Sequence, residues 1–197
     1  MDTKICIAIV SNRSVKPKTV LSLLQLDCPF PKFVCIASQG YTIAESRNYC
    51  VIQAKKNACT HILFVDDDMF FPSDTLSRLI ACEKEVVGVY SFSRQLPLCP
   101  TVAFLDEKGE HLPHDKIPQF VRPDSLFKCF SVGMGVCLIH LPIFEKIEKP
   151  WFAFETHESG KIMIGEDAWF CRQAQKAGLD IWCEPRLEVK HLGEFAY

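Results

Sequence analysis

Short apolar runs and longer segments of helical periodicity alternate through the first half of the chain. The apolar runs have the length and β-branched content of buried strands, and they cover residues 5–10, 33–37, 62–65 and 86–90. The patterns between them predict helices over residues 19–26, 42–58 and 73–83. Because strand and helix alternate, we predict an α/β fold whose mainly parallel central sheet is flanked by helices.

Two of these helices carry more specific signals. Thr42 and Glu45 have the spacing of a capping box, which predicts where the second helix begins. In the first helix, the pattern places Val20, Leu23 and Leu24 on one side.

The second half of the chain has a less regular pattern. Residues 93–123 are rich in proline and charge and predict loops with short antiparallel strands. Residues 130–140 predict a strand with a kink at Gly133 and Gly135. The remaining predicted elements are a short helix over 141–147, a helix over 166–177 stopped by Gly178, and short strands over 181–183 and 187–189.

The 197 residues contain no internal repeat and no linker, so we predict a single domain over residues 1–197. Parallel crossovers place ligand sites at the carboxyl ends of strands. The loops that begin at Ser11, Gln39 and Asp66 are therefore expected to share one rim of the sheet.

Composition and charge exclude several classes of protein. The formal net charge is −2, and no block of Lys or Arg suggests binding to nucleic acid or to a membrane surface. No apolar run has membrane-spanning length, and residues 1–14 read as a strand rather than a signal peptide. Eleven cysteines are scattered without a C-x-x-C pair, which favours a reducing compartment, the cytoplasm, over disulfides or zinc.

Three aspartates, Asp66, Asp67 and Asp68, directly follow the third predicted strand. Like charges at the end of a buried strand are costly unless something positive binds there. Side chains of an extended chain alternate faces, so Asp66 and Asp68 are expected on the same side. Two carboxylates in that position would suit a hard divalent cation. The alternative is a solvated acidic turn before a helix.

Two further candidates lie near the end of the chain. Glu166 and Asp167 open a helix directly after Gly165, where the helix dipole stabilises their charge. They could equally be ordinary first-turn carboxylates. His191 follows a predicted strand on its apolar side, and a divalent ion held by two carboxylates has room for an imidazole. A lone structural histidine is the alternative.

Arg47 lies on or beside the apolar face of the second predicted helix, with Ile43 and Cys50. A partly buried arginine needs an anionic partner, and a ligand phosphate could supply it. The alternative is an ion pair with Glu45 or with an aspartate of the acidic loop, Asp66 to Asp68.

Taken in order, these segments resemble the glycosyltransferases of the GT-A fold, in particular small soluble bacterial, phage and viral ones. FVDDDMFFP is similar to the family's strand followed by D-x-D, and residues 42–68 resemble the A-R-N helix that leads into it. VVGVYSFSR resembles the next strand, and SVGMGVCLIHLPIFEKIEKPWF the glycine-rich acceptor segment. GEDAWFCRQAQKAGLDIWCEP resembles the E-D helix, and KHLG the late histidine. The likeness covers residues 5–193 and extends to capsid-glycosylating domains of large algal viruses.

The resemblance implies a Rossmann-like domain with a small antiparallel extension, a nucleotide-binding half over 1–92 and an acceptor and catalytic half over 93–197. It also implies metal-dependent transfer of a hexose from a nucleotide-diphosphate sugar, UDP first and GDP next, to a hydroxyl of a glycan or glycoprotein acceptor, with inversion. A viral member would act in the host cytoplasm.

The resemblance assigns roles to residues as well. The metal, Mn²⁺ or Mg²⁺, would be held by Asp68, Asp66 and His191. Asp167 would be the catalytic base. Glu166 would orient the hydroxyl groups of the sugar or serve as the base in place of Asp167. The nucleotide sugar would contact Ser11, Asn12, Arg47, Asp66 and Asp67, and the acceptor would contact Gly135, Trp151 and Phe152.

Two departures from the family pattern leave alternatives open. The third aspartate makes the register of the D-x-D pair ambiguous, and the loop SNRS lacks the Pro and Tyr pattern of larger relatives. A nucleotidyltransferase would also place carboxylates at strand ends, although the basic loop over 11–18 has no glycine to hold a triphosphate. A non-catalytic carbohydrate-binding or scaffolding protein is the remaining alternative.

Overall fold

A computed structural model of the chain describes residues 2–11, 14–38, 42–93, 99–112 and 122–193. The helices in these ranges are α1 (Pro17–Gln25), α2 (Ile43–Lys56), α3 (Thr75–Ala81), α4 (Glu166–Lys176) and a 3-10 helix at Leu141–Glu145. The strands are β1 (Ile5–Ser11), β2 (Lys32–Ser38), β3 (His61–Asp66), β4 (Met69–Phe70), β5 (Val86–Val89), β6 (Val102–Ala103), β7 (Phe127–Cys129), β8 (Ser131–Val132), β9 (Val136–His140), β10 (Glu155–Thr156), β11 (Ile162–Ile164), β12 (Ile181–Glu184) and β13 (Lys190–His191).

The central sheet has seven strands in the order β2-β1-β3-β9-β5-β12-β7. Five of them, β2, β1, β3, β5 and β12, run in one direction, and β9 and β7 run against them. The three remaining sheets are small antiparallel pairs: β10 with β11, β13 with β4, and β6 with β8. The predicted α/β fold, with a mainly parallel sheet and a small antiparallel extension, is confirmed. Strands from both halves of the chain share the central sheet.

Both faces of the central strands of this sheet are covered, which explains why they read as continuous apolar runs. On the edge strand β2, Val34 and Ile36 are exposed. Every residue of β1 is buried. Its even-numbered side chains pack with α2 and α4, and its odd-numbered side chains pack on the face covered by α1 and α3. In the described part of the chain, no helix combines the length and the apolar character that crossing a bilayer demands.

The ends of two helices follow the predicted sequence signals. The Thr42 hydroxyl accepts a hydrogen bond from the Glu45 backbone N–H at 3.2 Å, and the Glu45 carboxylate accepts one from the Thr42 N–H at 2.7 Å. Thr42 is therefore the N-cap residue, and α2 itself begins at Ile43. Gly178, with φ +79°, follows the end of α4 in the left-handed conformation that glycine adopts readily.

Two predicted strands differ from the structure. The strand over 130–140 is interrupted, because the segment from Gly133 to Gly135 separates β8 from β9. The predicted strand over 187–189 is wrong. The strand in this region is β13, which pairs with β4 next to the acidic loop.

The buried face of α1 also differs from the apolar pattern. Thr19 and Ser22 are buried, whereas Leu24 is 79% exposed. The Thr19 hydroxyl donates to the Asp67 carbonyl oxygen at 3.0 Å, and the Ser22 hydroxyl donates to the Phe71 carbonyl oxygen at 2.9 Å. Bonds to the chain after β3 therefore decide which side of this helix faces inward.

Gly88 in β5 provides a test of how tightly the sheet packs. A Cβ atom on Gly88 would lie 2.5 Å from Val132 Cγ2, and valine has little rotamer freedom with which to move away. We expect Gly88→Ala to lower the free energy of unfolding by about 1–3 kcal/mol, measured by chemical denaturation. Gly193→Ala is the matched control, because a Cβ there meets nothing within 4 Å. Equal stability of the Gly88→Ala variant and the unchanged protein would contradict this packing.

Candidate active site

The acidic loop lies at the carboxyl end of β3, beside the end of β1. Val10 of β1 is in register with Asp66, and the Asp66 N–H donates to the Gly135 carbonyl oxygen at 2.9 Å. The three aspartates thus begin where the parallel strands end, and each of them has a different environment.

Asp66 is joined to Glu166 through Arg47. Arg47 Nη2 donates to Asp66 Oδ1 at 3.0 Å and Oδ2 at 3.3 Å, and Arg47 Nε donates to Glu166 Oε1 at 3.2 Å. The arginine side chain is only 1% exposed. Of the alternatives for Arg47, the structure shows the ion pair with an aspartate of the acidic loop, and it adds an acid from α4.

Burial dominates the ionisation of these two acids. It raises the pKa of Asp66, and the nearby Arg47 charge offsets only part of that effect. The pKa of Glu166 is raised for the same reason, with Arg47 again opposing the change. Burial alone would lower the pKa of Arg47, but Asp66 and Glu166 outweigh it, so the guanidinium stays charged.

Asp67 points to the neighbouring loop rather than to Arg47. The Ser11 hydroxyl donates to Asp67 Oδ2 at 2.9 Å, and the Lys16 backbone N–H donates to the Asp67 carbonyl oxygen at 2.8 Å. This residue therefore braces the acidic loop against the segment that links β1 to α1.

Asp68 is buried, 3% exposed, and lies against His191. The distance from His191 Nε2 to Asp68 Oδ1 is 3.0 Å, and the pairing of β13 with β4 brings the two residues together. His191 Nδ1 lies 3.3 Å from the Phe92 carbonyl oxygen, which can only accept a hydrogen bond. His191 Nε2 thus faces the Asp68 carboxylate, and Nδ1 faces the Phe92 carbonyl oxygen.

This donor set suits a divalent cation chemically. A metal-bound histidine commonly donates its other ring N–H to a backbone carbonyl, as His191 is placed to do towards Phe92. Asp66, Asp68 and His191 line the same cavity. Over the residues that the structure covers, however, no three acidic, cysteine or histidine side chains already stand at metal-binding spacing.

Two cavities meet at the acidic loop. The larger has a volume of about 400 Å³ and lies between the loop after β1, the start of α2 and the acidic loop. The smaller, of about 100 Å³, lies between the acidic loop, the glycine-rich segment from Gly133 to Gly135 and the start of α4. Ile43, Asp66 and His191 line both cavities.

The smaller cavity is bordered by Asp167 and by Gly135. The Asp167 carboxylate Oδ1 accepts from the Ala168 N–H at 2.7 Å, in the first turn of α4. A Cβ on Gly135 would lie 3.0 Å from Met69 Sδ and 3.4 Å from Asp66 Oδ2, so a larger residue would crowd this wall. A Cβ on Gly165 would lie 3.1 Å from Asp167 Oδ1.

Trp151 and Phe152 do not face either cavity, which corrects their assignment to the acceptor. They are 2% and 1% exposed. Trp151 packs edge to face on Phe144, and Phe152 stacks on Phe170 with ring centroids 4.8 Å apart. Aromatic rings enclosed in the core in this way cannot stack on a sugar.

Sequence reasoning missed three polar residues that line the larger cavity, Ser14, Lys16 and Ser46. Lys16 Nζ hydrogen-bonds the Leu192 carbonyl oxygen, which ties the loop after β1 to the segment after β13. Its signal was the basic composition of that loop. Ser46 lies next to Arg47 on α2 and carries no recognisable signal. Asn12 lies outside the described residues.

No protein-family model matches the sequence, and no curated protein matches it. Solved structures do match. A197 from STIV aligns with a TM-score of 0.64 and 16% identity, over 98% of this chain and 86% of that one. GalNAc-T7, solved with UDP, GalNAc and Mn²⁺, aligns with a TM-score of 0.61 and 11% identity. S. aureus TarS 1–349, in complex with UDP-GlcNAc, aligns with a TM-score of 0.54 and 14% identity.

This chain has the GT-A glycosyltransferase fold. The alignments with GalNAc-T7 and TarS 1–349 each cover 99% of this chain, but only 44% and 60% of those chains. The fold expected from the ordered sequence segments is therefore confirmed. In a GT-A fold with this topology, the acidic loop and the start of α4 meet at one edge of the sheet.

The buried Arg47 makes a direct prediction for stability. Arg47→Met would leave Asp66 and Glu166 without their buried cation, so we expect the free energy of unfolding to fall by about 3–5 kcal/mol. Arg172→Met is the matched control, because the pair of Arg172 with Glu155 is about half exposed, and it should cost about 0–1 kcal/mol. Chemical denaturation of both variants measures the difference, and equal losses would contradict the assigned environments.

Proposed function

We propose that this protein is a divalent-metal-dependent glycosyltransferase that moves a sugar from a nucleotide-diphosphate donor, UDP first, to a hydroxyl acceptor. The observation that carries the proposal is the pair of adjoining cavities with acids at their junction. The larger cavity would take the nucleotide and the smaller cavity the sugar. Asp66 and His191, which line both, then lie near the bond that breaks between phosphate and sugar.

On the donor side, each residue has a separate task. Asp68, Asp66 and His191 would hold Mn²⁺ or Mg²⁺, which when bound neutralises charge on the departing diphosphate. Ser11 lines the larger cavity and, through Asp67, keeps the acidic loop in place. Lys16 lines this cavity too and adds a positive charge to the wall that would face the nucleotide.

On the acceptor side, Asp167 is the better candidate for the base. Both acids line the smaller cavity, but Glu166 is 8% exposed and already accepts a hydrogen bond from Arg47, whereas Asp167 is only partly buried. Asp167 would take the proton from the acceptor hydroxyl as that oxygen attacks the sugar from the side opposite the diphosphate, which inverts the anomeric carbon. The acceptor, a glycan or glycoprotein, would approach along the segment that contains Gly135.

The compartment we propose is the cytoplasm, or that of a host cell if the protein is viral. All eleven cysteines are free thiols, which suits a reducing environment. Burial raises the pKa of Cys6, Cys129 and Cys183, so these three behave as small apolar core residues rather than as nucleophiles.

The metal-binding assignment is tested by titration calorimetry with UDP in the presence of MnCl₂. The unchanged protein should bind UDP more tightly with Mn²⁺ than with EDTA, and Asp68→Ala should abolish that difference. Asp180→Ala, a half-exposed surface acid paired with Lys128, is the control and should bind as the unchanged protein does. Titrations with GDP, CTP and free sugars separate the donor base and the two alternative functions. Metal-dependent UDP binding by Asp68→Ala would refute its assignment as a ligand.

The assignment of the base is tested by turnover of UDP-glucose, UDP-GlcNAc and UDP-GalNAc with Mn²⁺. Asp167→Asn keeps the shape and a hydrogen-bond acceptor but cannot take a proton. We therefore expect unchanged UDP affinity and a loss of turnover of about 10²–10⁴-fold. Full activity of Asp167→Asn would show that another group is the base.

A further inference from the structure

Arg47 is the largest side chain that the structure buries completely. Its guanidinium carbon lies 5.4 Å from the ring centroid of Phe64, on the apolar side of α2. Its Nη2 and Nε groups donate to Asp66 and Glu166, and no other cation is hydrogen-bonded to either acid within the described ranges. The guanidinium is thus held between an aromatic ring and two carboxylates, and Arg47 borders the smaller cavity rather than the larger one.

A buried ion bridge of this kind is not explained by stability alone. Removing three charged groups from water costs several kcal/mol per ion, and a well-packed apolar set of similar volume is often as stable. The described part of the chain also leaves Arg47 Nη1 buried without a hydrogen-bond partner, a further cost. What the guanidinium does provide is fixed geometry, because its planar fork sets the directions of both carboxylates at once.

The two carboxylates belong to different parts of the proposed site. Asp66 ends β3 and borders both cavities. Glu166 is the first residue of α4, and Asp167 is the second. The next residue of α2 also reaches across: Asn48 Nδ2 donates to the Phe152 carbonyl oxygen at 2.7 Å. Consecutive residues of one helix therefore tie the donor side of the fold to the side that carries Asp167.

We propose that Arg47 is a positioning residue. Its guanidinium hydrogen-bonds Asp66 and Glu166 at the same time and thereby fixes the first turn of α4, and with it Asp167, relative to the donor-binding acids. This inference rests on the proposed function and gives Glu166 a role different from that of a base. Glu166 is the residue through which Arg47 binds the start of α4, and Asp167 is the group that contacts the acceptor. A misplacement of about 1 Å between such groups can cost on the order of 10²-fold in rate.

Three variants test the proposal, with kcat and KM measured on UDP-glucose, UDP-GlcNAc and UDP-GalNAc in the presence of Mn²⁺. Arg47→Lys keeps a buried cation but cannot grip two carboxylates in a fork, so its kcat should fall by about tenfold or more. Glu166→Gln keeps an oxygen that can accept from Arg47 Nε–H, whereas Glu166→Ala does not. Glu166→Gln should therefore turn over about tenfold faster than Glu166→Ala, with similar KM for the donor.

The control variant and the assay temperature separate effects on turnover from effects on folding stability. Arg172→Lys changes a surface arginine on the same helix as Glu166 and should match the unchanged protein. Rates are taken about 15 °C or more below the lowest unfolding midpoint, a margin of about four to seven times the shift expected per kcal/mol for a chain of this size. A residue with a purely structural role would not change kcat under that condition. If Arg47→Lys does not fold, the two Glu166 variants decide the question.

The outcomes separate the inference from the function on which it rests. Equal loss of turnover in Glu166→Gln and Glu166→Ala would identify Glu166 as a proton acceptor and overturn the inference. Full turnover by Arg47→Lys would do the same while leaving the proposed function intact. If the unchanged protein neither binds UDP with Mn²⁺ nor consumes any of the three nucleotide sugars, the proposed function fails, and the inference fails with it.

Discussion

Negative charge crowded at one edge of the sheet is the constraint on which the site depends. Asp66, Asp67, Asp68, Glu166 and Asp167 come together there from two distant parts of the chain. Arg47 supplies one buried positive charge, and Ser11 and His191 each contact one aspartate. Those contacts leave an excess of acid over base. Burial raises the pKa of Asp66 and of Glu166, and the charges of Asp68 and Asp167 respectively add to that effect. A ligand that brings its own cation would relieve this excess, in agreement with the proposed metal-bound diphosphate.

The fold explains why the charges meet where they do. Parallel β1 and β3 end at the same edge, so the loops that follow them lie side by side. Antiparallel β9 is inserted next to β3 and begins directly after Gly135, which brings the glycine-rich segment to the same edge. The Thr19 hydroxyl of α1 then holds the backbone of the acidic loop at Asp67, and the Ser22 hydroxyl holds the backbone at Phe71, after β4. Backbone pairing and neutral hydrogen bonds thus set the position of the acidic loop, and the ion pairs of Arg47 connect that loop to the first turn of α4.

The sequence predicted the order of strands and helices because local patterns determine it. The buried strands, the capping box at Thr42 and the glycine after α4 were all readable from short segments. Of the two partners of Arg47, only the aspartate of the acidic loop was among the predicted alternatives. The acid in α4 lies 119 residues away, and one sequence contains no signal that pairs such distant positions. The buried rings of Trp151 and Phe152 were assigned to a ligand for the same reason, since an aromatic residue in a predicted loop gives no indication of what covers it. In α1, Leu24 is exposed and Ser22 is buried because tertiary hydrogen bonds outweigh the apolar pattern.

The pairing of β13 with β4 places one side of the pocket around Asp68 outside the central sheet. The last strand of the central sheet, β12, ends at Glu184, and His191 comes seven residues later in the chain. A chain shortened before Lys190 would keep every strand of the central sheet but lose the β13–β4 pair, the His191 contact with Asp68 and the hydrogen bond from the Leu192 N–H to the Asp68 carbonyl oxygen. The main sheet and the surroundings of Asp68 can therefore be altered separately.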